Sequence, residues 1–254
     1  MIDTHVHLCD QRFDKDRQQV FDRAHHVGVT HFVEIAYGPG IWEKAFALAA
    51  EHPNLFLAVG VHPNDAGRVP LDALPALRAH ARHARVVAIG EIGMDFFRDY
   101  APRAPQEQWF RTQLALADEV GLPVIIHQRS ALADVLAILE EARPAAGGVL
   151  HCFDQDAATV ERARALGFKL GLGGVLTYGH AELDEAIRGA PEDMLMLETD
   201  APYLEPEPRS LKRNEPSLLP RVVRRLCELR GWTPEQAVAI TRKNARELFR
   251  LPIG

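Results

Sequence analysis

The stretch Asp3-Thr4-His5-Val6-His7 sets a carboxylate and two imidazoles at alternate positions. As a short strand it turns Asp3, His5 and His7 to one side, where two imidazoles can grip a divalent cation. Alone, the pattern equally suits a strand end with exposed or hydrogen-bonded histidines. Later segments supply partners. The apolar run Val86 to Gly90 leads into Glu91, Leu122 to Ile126 into His127, and Gly148 to Leu150 into His151. Met194 to Thr199 leads into Asp200, and Leu55 to Gly60 runs through Val61 to His62. Each run ends on a residue able to bind a cation or a phosphate.

Positioning these residues requires a fold that gathers strand ends. Helical periodicity is read over 14–26, 41–51, 71–83, 106–120, 132–141, 157–166, 181–188, 216–230 and 234–249, and apolar strands lie between the helices. Eight strands alternating with helices in 254 residues predict an α/β fold, a (β/α)8 TIM barrel built as a single domain, 1–254. The rival is an open doubly wound sheet. It calls for a Gly-x-Gly-x-x-Gly turn, which follows neither the first nor the third strand.

In such a barrel the C-terminal strand ends face one pocket. Burying His5, His7, His62, Glu91, His127, His151 and Asp200 there is costly without a cation or a full hydrogen-bond network. Four histidines and two carboxylates exceed the three protein ligands typical of one catalytic Zn²⁺. Two divalent ions are therefore expected, one on His5, His7 and Asp200, the other on His127 and His151, with Glu91 bridging. Such a pair suits hydrolysis of a phosphate ester by a metal-bound hydroxide. Imidazole donors favour Zn, Mn or Fe over Mg; supply in the cell also decides, so Mg, Mn or Zn remain candidates.

Composition narrows the class. At 47% hydrophobic and 25% charged, the chain is ordinary globular protein. No apolar run approaches a membrane helix, and no leader precedes the first strand, so secretion and membrane partners are not expected. Three scattered cysteines suit reduced thiols and a cytoplasmic setting. A net charge of −6 argues against coating long nucleic acid by bulk electrostatics, though not against a local basic groove. The sequence is silent on oligomeric state, with a monomer as the working expectation.

The ordered motifs Asp3 to Leu8, Gly60-Val61-His62-Pro63, Gly90-Glu91-Ile92-Gly93-Met94-Asp95, Ile126 to Arg129, Leu150 to Phe153, Glu198 to Leu204, Arg213 to Pro216 and Asn244-Ala245 run almost the length of the chain. With them the sequence resembles the TatD family of metal-dependent deoxyribonucleases, within the amidohydrolase-like barrels. The resemblance implies a divalent-metal phosphodiesterase acting on single-stranded ends or damaged DNA, a 3'-5' exonuclease with incision at abasic sites, and a DNA repair role. It gives His5, His7, Glu91, His127, His151 and Asp200 as ligands, Asp200 and Glu91 as catalytic, and His62 near the substrate phosphate. Asn64 stands where many relatives carry a second His; Asp154-Gln155 and Tyr178-Gly179 also depart from the pattern. These departures touch substrate preference and spare the ligands.

Further expectations concern the surroundings. Arg129 is placed to meet a phosphate bidentately or to form a rim salt bridge. The basic segment 209–225, with Lys212, Arg213, Arg221, Arg224 and Arg225, could hold phosphates or be a solvated face. Phe96, Phe97 and Tyr203 could stack on bases or pack at the rim. Cys152 is expected as a core thiol, and Cys9 past the strand end as no ligand. Asp3 is expected to hold the ring of a ligating histidine. The competing readings are hydrolysis of a carbonyl substrate, such as an aminoacyl-tRNA ester, lactone or small amide, and a non-catalytic binding barrel.

Overall fold

Runs of aliphatic residues buried on both faces form β1 (Ile2–Val6), β2 (His31–Ala36), β3 (Leu55–Val59), β4 (Val86–Asp95), β5 (Val124–Arg129), β6 (Gly148–Leu150), β7 (Phe168–Leu172) and β8 (Leu195–Leu197). A computed structural model describes residues 1–98, 100–209 and 213–253. The helices are α1 (Arg17–His26), α2 (Pro39–Glu51), α3 (Leu74–Ala81), α4 (Arg103–Val120), α5 (Leu132–Ala142), α6 (Ala157–Ala165), α7 (Ala181–Gly189), α8 (Leu219–Arg230) and α9 (Pro234–Phe249). One parallel sheet runs in the order β1 to β8, and Val6 at the end of β1 bridges Ala201 just past β8. The fold class is the expected (β/α)8 barrel.

Contacts divide the chain into two compact units, Met1–Glu34 with Cys152–Ala165 and Lys169–Gly254, and Ile35–His151 with Leu166–Phe168. Within the first, α9 is entered through a capping box in which Thr233 and Gln236 satisfy each other's backbone N–H groups. Asn244 on this helix donates to the carbonyls of Glu192 and Leu195, fixing α9 against the start of β8. In the second, Gly121 closes α4 in the left-handed region (φ 69°), as expected from the sequence.

Several boundaries differ from expectation. The strand expected to stop at Glu91 continues to Asp95, because Ile92 to Asp95 pair with Ile126 to Arg129 of β5. Asp200 lies past the end of β8 rather than within it. Gln11–Phe13 and Pro216–Leu218 form separate 3-10 turns ahead of α1 and α8. Register shifts between Asp3 and Val6 on β1, and between Ile89 and Ile92 on β4, interrupt strict alternation beside the polar motifs. Among the described residues no helix is long and apolar enough to cross a membrane.

Candidate metal centre

In the first unit, His5 on β1, His7 just beyond it and Asp200 after β8 converge. The Asp200 N–H donates to the His5 carbonyl (2.9 Å), and the His7 N–H donates to the Ala201 carbonyl (2.8 Å). These bonds fix both segments in register. Asp200 takes φ 55°, a left-handed conformation that aspartate tolerates better than bulkier residues. Its Oδ1 stands 3.2 Å from His7 Nε2 and 3.7 Å from His5 Nε2, with all three residues buried. A tetrahedral ion with bonds of about 2.1 Å separates its donors by about 3.4 Å. Two imidazoles and a carboxylate at these spacings fit a divalent cation in number, type and distance.

Two buried carboxylates support this group from behind. Asp3 accepts the Thr199 hydroxyl (2.6 Å), the Thr199 N–H (2.9 Å) and, longer, the His5 N–H (3.4 Å). It orders the segment leading to Asp200 instead of holding an imidazole ring as expected. The register shift on β1 explains the difference, since alternation does not carry unbroken from Asp3 to His5 and His7. Glu34 on β2 accepts the N–H groups of Leu8 (2.6 Å) and Cys9 (3.0 Å), securing the turn that follows His7. Burial pushes each carboxyl up to about 7, against these hydrogen bonds. Cys9 is buried. Cys152 is not the core thiol expected: it is half-buried past β6 at φ 49°, its N–H on Glu198 (2.7 Å).

In the second unit, Glu91 on β4 is the hub. Its Oε1 lies 2.7 Å from His127 Nδ1, 3.6 Å from His62 Nε2 and 3.7 Å from His151 Nε2. The ligand atoms of His62, Glu91 and His127 lie close enough together for one ion. His62 therefore belongs to the same cluster as the expected ligands. Its hydrogen bonding separates its role from theirs. His62 Nδ1 accepts the Asn64 N–H at 3.0 Å, and burial lowers the ring's pKa, so the neutral ring carries its proton on Nε2. That nitrogen is a donor turned toward the cluster, suited to a phosphate oxygen.

His127 has a second partner that sequence reasoning passed over. Asp95, the last residue of β4, places Oδ2 3.1 Å from His127 Nε2. Its Oδ1 accepts the N–H groups of Phe97 and Arg98, both at 3.0 Å. Burial alone would raise the Asp95 carboxyl; His127 and the two amides hold it at about 2. Burial lowers His127, but Asp95 and Glu91 reverse this and its pKa is raised. A carboxylate on Nε2 takes the ring proton there and leaves the Nδ1 lone pair facing the Glu91 side, the carboxylate–histidine arrangement that orients a metal-binding ring. The signal was available in Glu91-Ile-Gly-Met-Asp95, had the strand been carried four residues further. Gly93 permits that extension: at φ 136°, a Cβ there would stand 2.0 Å from the His127 carbonyl oxygen.

The surrounding side chains are sorted by their partners. The Arg129 guanidinium lies over the Phe97 ring, 4.0 Å from its centre, and Arg103 lies over Phe96. Tyr203 meets the His7 ring edge-on at 5.6 Å, with Arg12 over its face. The basic segment, for which the sequence left a phosphate-holding groove and a solvated face as alternatives, is largely engaged within the protein. Arg213 pairs with Asp16, Arg225 with Asp184, and Arg221 donates to the Pro206 and Pro208 carbonyls. Arg224 is exposed, and Lys212 lies outside the described residues.

The family model for TatD-related DNases matches residues 2–250. The chain belongs to the TatD-related DNase family. It is a metal-dependent hydrolase of the kind that acts on ester bonds. It is 38% identical over 253 residues to the metal-dependent hydrolase YabD of Bacillus subtilis, covering 99% of both chains. It is also 38% identical to the 3'-5' ssDNA/RNA exonuclease TatD of Cronobacter sakazakii, over 98% of this chain and 97% of that one. Among solved structures, the TatD homologue YJJV of Escherichia coli K12 superposes with a TM-score of 0.94 at 32% identity, covering 99% of this chain and 98% of that one.

Proposed function

We propose that this protein is a divalent-metal-dependent phosphodiesterase that removes nucleotides from the 3' end of single-stranded nucleic acid. The observation that carries the reading is the His5–His7–Asp200 group. Its imidazole and carboxylate donors lie at the mutual spacings of a cation's ligands. The curated relative named an ssDNA/RNA exonuclease supplies the substrate class.

His5, His7 and Asp200 would hold one ion, and Glu91, His127 and His151 a second. Divalent ions there would make water a stronger nucleophile at neutral pH and offset charge on the phosphate. The chain's own residues do the rest. His62 donates from Nε2 to a phosphate oxygen, and Asp95 keeps His127 in its binding tautomer. An Asp200 carboxylate oxygen takes the proton of the attacking water. Incision at an abasic site uses the same residues and is the second activity of this proposal. Mg, Mn and Zn all match the mixed carboxylate and imidazole donors, Zn and Mn better than Mg.

The test is nucleotide release from a 3'-labelled single strand and strand cleavage of an abasic duplex, each with metal and with chelator. Stepwise, chelator-sensitive release from the 3' end supports the reading. Hydrolysis of an aminoacyl ester with no release of nucleotides would replace it.

A further inference from the structure

We infer that Phe97 and Arg129 form a stacking ledge for one nucleobase of a single strand whose backbone enters the Glu91–His127 cluster. This rests on the nuclease reading and adds to it where the strand is gripped. Phe97 is 63% exposed, the highest fraction among the exposed large hydrophobic side chains of the described residues. Arg129, also exposed, lies over one face of its ring, its guanidinium carbon 4.0 Å from the ring centre. A cation on one face fixes the ring's orientation and leaves the remaining surface to a second planar group.

The ledge is tied to the cluster by short covalent and hydrogen-bonded paths. Arg129 is two residues beyond His127 on β5, about 6–7 Å along the strand. Asp95 Oδ1 holds the Phe97 N–H while Oδ2 holds His127, so one carboxylate positions both the ledge and the proposed ligand. A flat hydrocarbon face with a guanidinium beside it matches a base and its phosphate. An apolar peptide would leave the guanidinium without an anionic partner. Stacking on a ring is tolerant of sequence because every base has a π-face, so the ledge selects unstacked single strands over duplex without choosing a base.

The experiment uses the metal-loaded protein and a phosphorothioate-linked single strand that resists hydrolysis, carrying 2-aminopurine near its 3' end. Binding to the wild type should quench the 2-aminopurine. Phe97→Ala should weaken binding about 5- to 150-fold and relieve the quenching, while Phe97→Trp should retain both. Arg129→Lys, which keeps charge and loses the planar group, should fall between. An abasic residue at the stacked position should weaken the wild type and leave Phe97→Ala unaffected. Equal loss in both proteins, or Phe97→Ala binding and quenching like wild type, overturns the ledge. If wild type hydrolyses the natural strand in parallel, that outcome leaves the nuclease reading standing. A wild type that neither binds nor hydrolyses single strands removes both.

Discussion

Asp95 Oδ2 lies 3.1 Å from His127 Nε2, and the other oxygen of the same carboxylate accepts two loop N–H groups. One side chain thereby sets the tautomer of an imidazole and the path of the chain beyond β4. Asp95→Asn separates these duties. The amide oxygen can still serve the loop, while the amide nitrogen, turned to Nε2, moves the ring proton to Nδ1. Metal affinity of the Glu91–His127 cluster should fall about 10- to 100-fold, with secondary structure unchanged. Calorimetric metal titration beside circular dichroism checks this; wild-type affinity in the variant would show the contact to be incidental.

His62 is assigned as a donor to phosphate, not a ligand. His62→Ala should keep the wild-type metal content and lose about 10- to 150-fold in kcat/KM, the worth of one hydrogen bond to a charged group. Metal analysis of the purified variant, paired with its kinetics on a short single strand, separates the roles. Loss of a metal equivalent would make His62 a ligand.

At Gly93 an added Cβ would stand 2.0 Å from the His127 carbonyl oxygen, in a backbone region that side chains rarely adopt. Gly93→Ala should lower stability by about 3 kcal/mol or more, or prevent folding. Denaturant unfolding measures it. A variant within about 0.5 kcal/mol of wild type would mean that β4 and β5 do not approach this closely at His127.

The ion-pair cluster of Asp16, Arg23, Arg213 and Glu215 pins α1 to the segment before α8. Hydrogen bonding to Arg213 leads the causes that lower Asp16 from 3.8 to about 2, and Arg23 helps to lower Glu215 against its burial. A depressed carboxyl stabilises the fold above its unfolded pKa, and that contribution is lost as pH falls through the folded value. Arg213→Met should therefore be less stable than wild type near neutral pH, on the order of 1 kcal/mol after solvent screening. The gap should close between about pH 4 and 2. Thermal melts across that range check the sign; a gap independent of pH would mean lost packing over Phe13, where Arg213 also lies.

The barrel and the residues of its candidate metal centre were legible because they obey a positional rule: apolar runs fix the strands, and the residues ending them are His, Glu or Asp. Asp95 was passed over and Asp3 misread for one shared reason. Strict alternation and an early stop at Glu91 leave no room for register shifts, and both β1 and β4 carry one beside the site. The basic segment misled because charge counts along a sequence do not show the partners. Asp16 and Asp184, far off in the chain, take up Arg213 and Arg225.

Hydrolysis of single-stranded nucleic acid should depend on divalent ions held on these histidines and carboxylates. The most direct measurement is nucleotide release from a 3'-labelled single strand by protein stripped with chelator and then resupplied with Mg, Mn or Zn. Release should stop on stripping, resume with at least one ion, and stay absent in His5→Ala and His127→Ala given the same ion. Release that persists after exhaustive chelation, or survives in those variants, would rule out hydrolysis by ions at these residues.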